Sequence, residues 1–133
     1  MLVAYLFSIK SEFWLANMLF YWVPQAAVML LFCMYKPPRL AFFSGLSLAL
    51  AAYLALFGWW LFSRQHPESM AWLGYLFSLP GAVVGGLLAV SWLAKNQGKG
   101  VAAATGLAAA AAGLGIAVNQ LLVCSTVMYC WGK

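Results

Sequence analysis

The chain has 133 residues, 66% of them hydrophobic and 7% charged, with a formal net charge of +5. A soluble domain carries about 45–50% apolar and about 25% charged residues, so a water-soluble fold of this length could not hide the apolar surface, and lipid is the expected solvent for most of it. The basic excess does not point to nucleic acid, because the cations stand singly between apolar runs instead of forming a stripe or patch. It points to membrane orientation, since Lys and Arg favour cytoplasmic loops.

The chain opens with "MLVAYLFSIKSEFW". A secretory signal begins with a basic region, whereas here the first Lys is residue 10 and follows an apolar stretch. The segment is expected to stay uncleaved. Residues 1–12 are read as an extra helical turn or two, or as a segment lying in the membrane interface. A span starting near residue 2 would place Lys10 and Glu12 at midplane, which is costly.

Four segments have the roughly 20 apolar residues that a helix needs to cross about 30 Å of hydrocarbon. They run over about 13–35, 40–63, 70–94 and 101–129. Backbone groups in lipid must be satisfied within the segment, so helices are expected. The connections are "KPPR" at 36–39, "RQHPES" at 64–69 and "KNQGKG" at 95–100. Proline and glycine there end and restart helices. Short loops make successive helices antiparallel neighbours. The predicted fold is an all-α integral membrane protein, an up-down bundle of four transmembrane helices forming a single domain.

In the first span, Asn17, Tyr21 and Gln25 stand four residues apart and form one polar stripe. Ser78 in the third span and Asn119 and Gln120 in the fourth add polar groups, as does Tyr53 in the second. Such groups should face the bundle interior and hydrogen-bond across helices. The alternative is a polar cavity for a small ligand. No Asp, Glu, Lys or Arg falls inside a span, and an energised carrier ordinarily keeps one there. Pro24 and Pro80 lie mid-span, where kinks are expected.

Small residues let helices approach in lipid. Gly45, Ala49 and Ala52 supply a seam on the second span, and Gly74, Ser78, Gly81, Gly85 and Ala89 one on the third. On the fourth, Gly106, Ala110, Gly113 and Ala117 form a stripe that Gln120 and Cys124 continue. These seams are expected to pack within the chain; the other reading is a homodimer interface.

Lys36, Arg39, Lys95 and Lys99 lie on one side and Lys10, Arg64 and Lys133 on the other. This makes the first and third loops cytoplasmic and both termini external. In a bacterium the membrane would be the inner one. Trp14, Trp59, Trp60, Trp72 and Trp131 gather on the side of the termini; Trp92 lies opposite and Trp22 within a span. Indoles at that level form an aromatic belt. They also suit partner recognition, and Arg64, His66 and Glu68 share the face.

His66 and Glu68 flank Pro67. A His and a carboxylate can do acid–base work, and equally form a solvated turn. They fall short of the three or four ligands of a zinc site. No phosphate loop or metal-binding helix motif occurs, so no cofactor, metal or catalytic residue is expected.

Cys124 and Cys130 stand six residues apart, about 9 Å along a continuous helix. A disulfide needs Cα atoms about 4.4–6.8 Å apart, so the pair can bond only if the helix ends between them. Otherwise both are free apolar residues. Cys33 lies near the opposite membrane face.

The leading expectation is a non-enzymatic protein that binds a membrane or secreted protein partner, as accessory subunits and immunity-type proteins do. The alternative is a small dimeric transporter or channel with a polar site inside the bundle.

Overall fold

A computed structural model describes residues 1–8, 12–35, 40–63, 71–96, 98 and 100–126, the side chains of Phe7, Tyr35, Phe62, Ala71 and Trp72 excepted. The described residues are helical, with no strand. The elements are α1 (Leu2–Ser8), α2 (Trp14–Tyr35), α3 (Leu40–Phe62), α4 (Ala71–Lys95) and α5 (Val101–Thr126). Helices α2 to α5 hold apolar stretches of 21, 22, 23 and 26 residues, long and apolar enough to cross a membrane. At 1.5 Å per residue these measure about 31 to 39 Å. The first three begin and end within a residue or so of the expected spans. Residues 127–129, where the fourth was expected to end, lie outside the described residues.

The N-terminal segment is a short helix. Ala4 and Ser8 are buried, α1 touches α2 and α3, and Ser8 Oγ donates to the Ala4 carbonyl at 2.8 Å. Met1, Leu2 and Leu6 point outward.

Helix α5 lies on α4 and α3, and the α4 seam is closed by glycine. A Cβ on Gly81 would overlap the Gly115 carbonyl, and one on Gly85 would overlap the Ala111 carbonyl and stand 3.0 Å from the Ala112 Cα. One on Gly115 would overlap the Gly81 carbonyl. The pairs 81–115 and 85–111 run in opposite senses. Against α3 the approach is equally close at one place. A Cβ on Gly45 would overlap the Thr105 carbonyl and lie 2.9 Å from the Ala108 Cβ. Thr105 Oγ1 donates there to the Ala41 carbonyl at 3.0 Å and lies within hydrogen-bond reach of Ser44 Oγ, at 3.2 Å.

Helix α2 packs on the other side of α3 and α4, and uses bulk where α5 uses small residues. The Phe32 ring fills the space above Gly86, where an added Cβ would be 2.5 Å from its Cζ. The same ring meets Phe42 edge-on, centroids 5.1 Å apart. Among the described residues no Cα of α2 lies within 8 Å of one in α5. Between them Phe42, Leu46, Leu50, Leu54, Leu61, Tyr75 and Ala82 form the core.

The inner face of α5 differs from the expected one. Its buried residues are Ala104, Ala108, Ala112 and Ile116. Gly106, Ala110 and Ala117 are exposed and Gly113 half-exposed, and a Cβ on Gly106 or Gly113 would meet nothing within 4 Å. The stripe read as an internal seam therefore faces outward. Alanine and glycine occupy most positions from Ala102 to Ala117, so small size alone does not mark the inner side there.

Candidate functional site

Most of the polar residues foreseen inside the spans take part in cross-helix bonds. Tyr53 of α3, Ser78 of α4 and Gln120 of α5 form a central node. Tyr53 OH lies 2.7 Å from Ser78 Oγ and 3.2 Å from Gln120 Oε1. Ser78 Oγ can donate to Gln120 Oε1 or, at 2.7 Å, to the Gly74 carbonyl. Two hydroxyl protons thus serve three acceptors, Ser78 Oγ, Gln120 Oε1 and the Gly74 carbonyl. The Gln120 carboxamide oxygen is an acceptor facing both hydroxyls. Its nitrogen points along the helix, and Nε2 donates to Cys124 Sγ at 3.6 Å.

Helix α2 is tied in by a second pair of bonds. Gln25 Nε2 donates to the Leu50 carbonyl of α3 at 3.1 Å. Tyr75 OH donates to the Tyr21 carbonyl at 3.1 Å. Tyr75 is fully buried and stacks on Tyr53, centroids 5.7 Å apart and planes 13° from parallel. The sequence reading passed over Tyr75. Its place three residues before Ser78, hence on the same helix face, is the signal that could have found it.

The two mid-span prolines have a common use. Proline lacks the N–H that would bond the carbonyl four residues back, and its ring crowds that turn. The side-chain donors from neighbouring helices meet the carbonyl three residues before each proline. Tyr75 reaches Tyr21, three before Pro24, and Asn119 Nδ2 reaches Phe77, three before Pro80. Neighbouring helices commonly supply donors to backbone that proline has loosened.

Of the foreseen polar site, Ser78 and Gln120 meet directly, and Tyr21 and Gln25 join through Tyr75 and α3. Asn119 turns to α4 on another side of α5. Asn17 is half-buried at the start of α2, a turn before Tyr21. Among the described residues no buried side-chain nitrogen or oxygen lacks a hydrogen-bond partner, so these groups serve to join helices.

Open space lies beside the node instead. A groove of about 960 Å³ runs between α3 and α5, from Leu48 and Ala109 to Trp60 and Cys124. Ala49, Ala52, Ala110, Gly113 and Ala117 make its sides small, and Tyr53, Phe57 and Trp60 give it an aromatic end. Gln120 lines it as well. Phe57 and Trp60 stand 5.8 Å apart between centroids, tilted by 39°. A smaller groove of about 530 Å³ lies between α4 and α5, lined by Pro80, Leu88, Leu114 and Asn119.

The tryptophan face is described only in part. Trp59 is 71% exposed and Trp14 47%; Trp60 turns into the α3/α5 groove. Trp72 belongs to α4. Arg64, His66, Glu68, Cys130 and Trp131 lie outside the described residues. Cys124 is disulfide-bonded, and Cys33 is an exposed free thiol at the far end of α2. Among the described residues no three His, Cys, Asp or Glu side chains gather as metal ligands would. No protein family, curated protein or solved structure was found to match the chain.

Proposed function

We propose that this chain is a four-span membrane protein that acts without catalysis, by holding a second membrane component against α3 and α5. The observation that carries the reading is the α3/α5 groove, open, apolar and about 960 Å³ in volume. Pockets that take small ligands or cofactors range over about 300–1,000 Å³ and are mainly apolar with a few placed polar groups. Capture of this kind is how accessory subunits and immunity-type proteins work. The transporter or channel reading has less support, because the polar residues it would use are engaged in joining helices.

The four spans are proposed to cross the bilayer in up-down order. The pairs Gln25–Leu50, Tyr53–Ser78 and Gly81–Gly115 are consistent with each helix running opposite to the one before it. The end of the bundle holding Trp14, Trp59 and Cys124 is proposed to be external, the periplasmic side in a bacterial inner membrane. Disulfides persist in oxidising compartments, and Cys124 carries one. Cys33, a free thiol, then lies at the cytoplasmic end, near the basic first loop.

A photoreactive residue tests the binding reading in native membranes. At Ala117, on the groove, it should give a discrete adduct that the same residue at Leu31, on the outer face of α2, does not. Equal, diffuse labelling at both positions would contradict it.

A further inference from the structure

We infer that the component seated in the α3/α5 groove is the acyl chain of a lipid from the external leaflet, held by its carbonyl at Gln120. This rests on the binding reading above and names the ligand.

The shape of the groove selects a lipid chain over a spanning helix. At 1.5 Å per residue, the stretch from Leu48 to Trp60 is about 18 Å long and that from Ala109 to Cys124 about 22 Å. The hydrocarbon of one leaflet is about 15 Å deep. Beyond Leu48 the groove closes, because Gly45 is pressed against Thr105 and Ala108. A transmembrane helix on this face would need a track of about 30 Å and would find roughly its inner third shut. An acyl chain entering at Trp60 would lie along small residues and end near Leu48.

The one amide on the track also fits. Gln120 has two amide N–H groups. One goes to Cys124 Sγ, while Oε1 faces the Tyr53 and Ser78 hydroxyls, so the carboxamide is held in one orientation. The remaining N–H is the donor the groove offers. An ester carbonyl accepts such a bond.

The test uses full-length protein in vesicles of phosphatidylethanolamine and phosphatidylglycerol, with a trace of phosphatidylethanolamine carrying a diazirine in one acyl chain. Adducts mapped by peptide mass should concentrate on residues 48–60 and 109–124. Gly113→Leu with Ala117→Leu fills the track. It should cut those adducts about tenfold while labelling of Leu30 and Leu31 and the melting temperature stay unchanged. An ester-linked probe should label the groove several-fold more than its ether-linked analogue, and Gln120→Leu should erase that difference. Labelling spread evenly over the outer faces of all helices, or indifferent to the filled track, overturns the inference. So does an adduct of protein mass from the Ala117 probe in native membranes, which would leave the binding reading standing. If that probe gives no discrete adduct of any mass, the binding reading itself fails.

Discussion

Helix α5 carries glycine on two of its sides, and the two sets live in opposite surroundings. Gly115 has no room for a methyl group, because the Gly81 carbonyl stands where its Cβ would be. Gly106 and Gly113 have open space. Glycine within a helix costs about 0.5–1 kcal/mol relative to alanine. On the α4 side the close approach of backbones offsets that cost. At Gly106 and Gly113 nothing within the fold does, and our proposal assigns Gly113, which lines the α3/α5 groove, to what the groove holds. One small-residue helix is thus closed along one edge and open along another, the edge that we propose serves binding.

The sharpest way to break this comparison is to enlarge the closed edge. Gly85→Leu puts a side chain into the Ala111 and Ala112 backbone, and should cost about 3 kcal/mol or more, the upper range for overpacking. Thermal unfolding in detergent would show a collapsed transition; a melting temperature near wild type would mean the seam is loose. Next in size come the polar ties. Ser78→Ala and Gln120→Leu should each lose about 0.6–2 kcal/mol and be coupled in a double-mutant cycle, as members of one node. Additive losses would dissolve the node. Tyr75→Phe removes the hydroxyl that bonds the Tyr21 carbonyl and meets the Gln25 side chain, at about 0.6–1.7 kcal/mol. Restoring the carbonyl's ordinary helical surroundings with Pro24→Ala should reduce that loss, and an unchanged loss would detach the proline from the tyrosine. Smallest is Gly113→Ala, expected to be neutral or to stabilise by up to about 1 kcal/mol through helix propensity; a clear destabilisation would show the open edge to be packed.

Orientation yields a separate check. A membrane-impermeant maleimide should label Cys33 in inverted vesicles and spare it in intact cells. Labelling in intact cells would reverse the proposed sides.

The number, length and order of the long helices were legible because apolar runs of bilayer length stand between prolines and polar turns. Most of the polar node was legible for a related reason. In a segment with so few polar groups, Gln25, Ser78 and Gln120 had few places to go but each other or backbone. The inner face of α5 was not legible. From Ala102 to Ala117 it is apolar nearly all round and mostly Ala and Gly, so no polar side marks the outside, and a stripe at 106, 110, 113 and 117 looks as suited to the seam as the one at 104, 108, 112 and 116. Tyr75 was missed because a tyrosine in the first turns of a span also fits an aromatic belt. The groove depends on where α3 and α5 touch, at Gly45, and where they part, which no local pattern encodes.

The open edge of α5 is proposed to serve binding and not stability. That role is tested most directly by the photo-adduct yield of a probe at Ala117 in protein carrying Gly113→Leu. The expected variant melts like wild type and loses the groove adduct about tenfold. A variant that melts like wild type and keeps the adduct in full would contradict it.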